Sequence, residues 1–106
     1  REIDGLAMSS RNAYLSPLER KEALVLYLAL RLAKKLIKQG NKNSADIIRK
    51  MKQMIEKKKA AKVQYIALVD LPGLKPKNII KGNILIALAV WVGETRLIDN
   101  TIISVK

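Results

Sequence analysis

Cysteine, histidine and phenylalanine are all missing from this 106-residue chain, and only 4% of its residues are aromatic. Without cysteine there is no disulfide framework and no thiolate metal site, which fits a reducing compartment and an expected cytoplasmic location. Without histidine the chain lacks the commonest general base and transition-metal ligand, so it cannot house Ser-His or zinc catalysis by itself. Scarce aromatics leave little surface for stacking nucleic-acid bases. The longest apolar run, "ILIALAVWV" from Ile84 to Val92, falls far short of the roughly 20 residues of a membrane span. Its β-branched content reads as a buried strand, and no membrane partner is expected. The first residue is Arg1, with no signal-peptide pattern before it, so the chain reads as a piece of a longer protein. No internal repeat or low-complexity segment divides it.

What remains is 49% hydrophobic residues, enough for one modest core, and a formal net charge of +12. Such a charge suits nucleic acid, nucleotide phosphate or an anionic surface. Most of the 21 basic residues are lysines spread along the chain, with one tight run at Lys57 to Lys59, and this dispersion favours a solvated face.

Ser16-Pro17-Leu18-Glu19 forms a capping box with proline at the first helical position. The helix it starts is expected to reach about Gln39 and stop at Gly40. At 100° per residue Leu26, Leu30, Ala33 and Ile37 form one stripe, widened by Ala29, Leu32 and Leu36, while Arg20, Arg31, Lys34, Lys35 and Lys38 gather opposite. Leu24 and Leu28 fall among the basic residues, where they suggest a second contact surface. Asn43 or Ser44 caps a second helix with Ile47, Met51, Met54 and Ile55 on one face.

The period then changes. Val63 to Val69 reads as a strand, ended by Asp70 and the Leu71-Pro72-Gly73 loop that Pro76 prolongs. Gly82-Asn83 leads into the strand Ile84 to Val92, and Gly93-Glu94-Thr95 turns into a third strand, Arg96 to Ile103. Short connections predict an antiparallel sheet with helices on one side. The fold class is therefore α+β: two helices followed by a three-stranded antiparallel sheet, in one domain spanning residues 1 to 106.

Ahead of the first helix stands "DGLAMSSRNAYLS", residues 4 to 16. Ser9, Ser10 and Arg11 place two hydroxyls beside a planar cation, and consecutive backbone N–H groups can add an anion nest. That set suits a polyphosphate. It equally suits plain turn chemistry, since no glycine-rich phosphate loop surrounds it and Asp4-Gly5 fits an ordinary turn.

Three blocks, "REIDGLAMSSRNAYLSPLER" at 1 to 20, "YIALVD" at 65 to 70 and "VWVGETRLIDN" at 90 to 100, resemble the C-terminal domain of the pantothenate synthetase, or pantoate–beta-alanine ligase, family. The resemblance runs from end to end. It implies the lid domain of a nucleotidyltransferase related to the class I aminoacyl-tRNA synthetases, whose larger N-terminal Rossmann-like domain carries a HIGH-type motif and most substrate pockets. The implied reaction has two steps. Pantoate attacks the α-phosphate of ATP, with magnesium, to give pantoyl adenylate and pyrophosphate, and β-alanine then forms pantothenate and AMP.

Within that resemblance, MSSRN plays the part of the synthetases' KMSKS loop. Met8 is expected beside the adenine, Ser9 and Ser10 on the phosphates, and Arg11 paired with them, with Ser9, Ser10 and Arg11 serving the chemistry. No residue of this chain is expected to bind metal. Asn12 and Tyr14 are expected to brace the loop, and Asp70, Arg96 and Asp99 to make structural ion pairs. Tyr65 and Trp91 are expected in the core. The parent is implied to be a homodimer. With no HIGH-type motif and no pantoate or β-alanine pocket, the chain alone is expected to be inactive. A small basic nucleic-acid-binding module, or an interaction domain whose partner covers Leu24 and Leu28, is the alternative reading.

Overall fold

A computed structural model describes all of residues 1–106. After a short 3-10 turn at Ser10–Tyr14 come α1 (Pro17–Ala23), α2 (Val25–Lys38), α3 (Ser44–Glu56), β1 (Ala61–Asp70), β2 (Gly82–Val92) and β3 (Thr95–Val105). The strands form one antiparallel sheet in the order β1-β2-β3. The expected α+β architecture is thus the observed one.

Local chemistry sets the helix ends. Ser16 accepts from the Glu19 N–H, and the Glu19 carboxylate accepts from the Ser16 N–H, closing the capping box. At the far end Gly40, with φ +99°, lets the Asn41 N–H reach the Leu36 carbonyl and the Gly40 N–H the Ile37 carbonyl, both at 3.0 Å. Asn43, not Ser44, caps α3 by accepting from the Asp46 N–H.

The single helix expected from Pro17 to Gln39 is interrupted at Leu24. There the backbone tightens: the Leu24 N–H reaches back only three residues, to the Lys21 carbonyl at 3.4 Å. The bend brings α1 beside the β2–β3 turn, where the Glu19 carboxylate lies against Gly93. It also leaves Leu24 half-buried, so the expected exposed pair reduces to Leu28.

The core lies between the helices and one face of the sheet. Leu26, Leu30, Ala33 and Ile37 of α2 and Ile47, Met51 and Ile55 of α3 meet Ile84, Ile86, Leu88, Val90 and Val92 of β2. Fully burying each large side chain contributes about 1.5–3 kcal/mol against leaving it wet. β2 is the central, most buried strand, as expected.

The opposite face of the sheet carries no helix. It shows Tyr65, Trp91, Ile98 and Ile102 to solvent, and corrects the expectation that Tyr65 and Trp91 are core aromatics, since they are 44% and 40% exposed. Strand alternation is the reason. Trp91 lies between the inward Val90 and Val92, and an irregularity between Val63 and Tyr65 sets Tyr65 opposite Ala89 on the outer face.

Candidate functional site

The segment before α1 folds back before it reaches the Ser9-Ser10-Arg11 cluster. The Glu2 N–H donates to the Leu6 carbonyl at 2.7 Å and the Gly5 N–H to the Glu2 carbonyl at 2.9 Å. Gly5 has φ +104° and a Cβ there would fall on the Tyr27 ring, so both backbone and space require glycine. Leu6 is buried in the core.

Charge-assisted forks pin this segment further. Arg1 donates to both carboxylate oxygens of Asp99, at 2.7 and 2.9 Å, and to the Gly5 carbonyl at 2.8 Å. Arg20 of α1 grips both oxygens of Asp4 at 3.0 and 3.1 Å. The hydrogen bonds from Arg20 hold the Asp4 carboxyl below its ordinary range, and those to Asp99 hold the Arg1 proton more tightly than usual.

Past these pins Met8, Ser9, Ser10 and Arg11 are exposed. Ser9 caps the 3-10 turn: its Oγ accepts from the Arg11 N–H at 3.1 Å. Asn12 donates from Nδ2 to the Ala7 carbonyl at 3.0 Å, in keeping with a bracing role. Its Oδ1 is buried without a partner. Arg11 extends to β3, where Nη1 donates to the Arg96 carbonyl at 3.3 Å.

Arg11 thereby lies at an open cleft of about 730 Å³, walled by Tyr14 and Glu19 on one side and by Trp91, Gly93, Glu94, Thr95 and Arg96 on the other. Tyr14 is 77% exposed and lines the cleft rather than bracing the loop. Two guanidiniums, two aromatic rings and two carboxylates converge here. Glu19 is committed to the Ser16 N–H, and Arg96 donates from Nε to Gln64 Oε1 at 2.6 Å. Nowhere do three or more His, Cys, Asp or Glu side chains stand together to hold a metal ion.

Two of the three expected ion pairs form: Asp99 pairs with Arg1, and Asp70 with Lys77 at 3.8 Å. Arg96 corrects the expectation, since it makes no ion pair and donates to the neutral Gln64 across the sheet surface. Sequence reasoning missed Arg1, Asp4, Gly5, Tyr27 and the Arg96 carbonyl as supports of the loop. The glycine after Asp4 was a visible signal; the pairing of positions 98 apart was not.

Fold and site together define a small α+β domain that presents hydroxyls and a guanidinium on a pinned loop beside a hairpin cleft. The model of the Pantoate-beta-alanine ligase family matches residues 1–102, and the chain belongs to that family. It is 52% identical over 105 residues to the pantothenate synthetase of Caldicellulosiruptor saccharolyticus, covering 99% of this chain and 37% of that protein. With the enzyme of Moorella thermoacetica it shares 49% over 106 residues, 38% of that protein's length. The crystal structure of the Thermus thermophilus pantothenate synthetase superposes with a TM-score of 0.86 at 38% identity, covering 95% of this chain and 36% of that one. A pantoate-beta-alanine ligase from Francisella tularensis, complexed with beta-gamma ATP and beta-alanine, aligns with a TM-score of 0.53 at 27% identity, covering 95% of this chain and 30% of that one. The chain thus spans between 30% and 38% of the length of these relatives. No helix is long and apolar enough to cross a membrane.

Proposed function

We propose that this chain is the C-terminal, ATP-closing domain of a cytoplasmic, homodimeric ligase that condenses pantoate and β-alanine through a pantoyl adenylate. Pantoate attacks the α-phosphate of ATP, pyrophosphate leaves, and β-alanine displaces AMP from the adenylate. Met8 lies against the adenine, Ser9 and Ser10 donate to the phosphates, and Arg11 pairs with them. Negative charge grows on the leaving pyrophosphate in the first step, and preorganised donors aimed there lower the barrier. One observation carries the reading: Ser9, Ser10 and Arg11 stand exposed just past a segment held by the Arg1–Asp99 and Arg20–Asp4 forks, and Arg11 has only one 3.3 Å hydrogen bond to give up, so they can meet a phosphate at little ordering cost. The chain offers no set of three carboxylates for magnesium. Without the remaining two thirds of a family-length protein the chain forms no pantothenate.

The test is Arg11→Ala in the complete ligase, with single-turnover measurement of pantoyl adenylate. Adenylate formation should fall on the order of 100-fold or more, with a smaller loss of ground-state ATP affinity. Stability should change by no more than about 0.5 kcal/mol, because Arg11 is exposed. Ser16→Ala is the control: it removes the cap of α1, costs about 1 kcal/mol, and affects catalysis only through the fold. Wild-type adenylate formation in Arg11→Ala would sink the proposal.

A further inference from the structure

Two stretches far apart in sequence meet on β3. Arg1 docks on Asp99 and also reaches the Asn100 carbonyl at 3.4 Å, while Arg11 docks on the Arg96 carbonyl. Positions 96 and 99 are three residues apart on one strand, about 10 Å at the rise of an antiparallel strand. Fully extended, the ten steps from Arg1 to Arg11 would span roughly 33–36 Å. Holding both ends on β3 forces the segment to double back, which the Glu2–Leu6 turn and Gly5 accomplish.

We infer that Arg1 and Asp99 are positioning residues for the phosphate-binding loop: their pair fixes where Ser9, Ser10 and Arg11 stand, without touching the nucleotide. The inference rests on the function proposed above. Three features make the pair a rigid anchor. Asp99 is 7% exposed, its Oδ1 also accepts from the Asn100 N–H at 2.7 Å, and the Tyr27 ring lies 5.0 Å from the Arg1 guanidinium carbon. A planar fork on a buried carboxylate tolerates little angular freedom, so a shift at Arg1 is transmitted through the Gly5 carbonyl it also grips. Asp99 points to the core side of the sheet, away from the outer-face residues Trp91 and Arg96 of the cleft, so its effect must pass through Arg1.

The experiment compares this chain with Asp99→Asn, Arg1→Lys and Arg11→Ala, following backbone amide exchange and a titration with inorganic pyrophosphate by NMR. Arg1→Lys keeps the charge and loses the fork, which guards against Asp99→Asn failing to fold. The inference expects exchange at the Arg11 and Asn12 amides, both bonded to Ser9, to quicken about tenfold in Asp99→Asn and Arg1→Lys while the Leu88 and Val90 amides of β2 stay protected, because only a local opening is released. Pyrophosphate affinity should fall with it. Unchanged loop exchange in folded Arg1→Lys, or equal acceleration throughout β2, would overturn the inference. If Arg11→Ala binds pyrophosphate as tightly as the wild type does, the phosphate-binding reading fails; the loop amides alone decide whether the pair positions the segment.

Discussion

Arg11 and Gly5 show how differently two residues of one loop can matter. Arg11 makes one long hydrogen bond on the surface, so its replacement should be nearly silent in a melt and loud in phosphate chemistry. Gly5 has the reverse profile. At φ +104° a side chain is strained, and the added Cβ falls on Tyr27, so Gly5→Ala should destabilise by about 1–3 kcal/mol. A thermal melt of Gly5→Ala matching the wild type would show that the first turn does not hold the segment down.

At the scale of an element, the N-terminus of α3 is the most heavily supported. The Asp46 carboxylate accepts from Lys50 at 3.0 Å, from Arg49, and from Asn41 at 2.8 Å, and lies where the helix dipole favours a negative charge. These bonds, led by the one from Lys50, lower its pKa from 3.8 to about 2. The unfolded chain, with an ordinary carboxyl, takes up the proton first, so the contribution is complete above the ordinary value and is lost as pH falls towards about 2. Melts from about pH 5 downwards should lose stability on acidification, less steeply in Asp46→Asn. Parallel pH curves for the two proteins would remove Asp46 as the cause. Asp4, depressed by the Arg20 fork, loses its contribution in the same direction.

Across the whole molecule the charge is broad and unfocused. Arg31, Lys34, Lys35 and Lys38 line an open groove shared by α2 and α3 with Leu28 and Met54, and the outer face of the sheet shows Tyr65, Trp91, Ile98 and Ile102 to solvent beside Arg96. Neither surface orders base-stacking aromatics along a basic track. Binding to random DNA should therefore be weak and vanish in moderate salt, as expected for phosphate contacts alone. Sub-micromolar, sequence-dependent binding at physiological salt would instead favour a nucleic-acid module.

Helices, caps and strands were legible in the sequence because their causes are local: Ser16 and Glu19 lie three residues apart, Gly40 follows its own helix, and apolar periodicity needs no partner. The Met8–Arg11 segment stood out in the sequence by its residue types, and its resemblance to a ligase family is the source of the phosphate role proposed for it. Periodicity failed where every position is apolar, as along β2, so the outward turn of Trp91 emerged only with the opposite layer in place. The bend at Leu24 likewise depends on what α1 packs against. Least legible was the bracing of the loop. Arg1 and Asp99 are 98 positions apart, and nothing local makes one carboxylate prefer one arginine among six. Only the folding of β3 beneath the first turn brings them within hydrogen-bond reach, where burial of Asp99 makes the pairing obligatory.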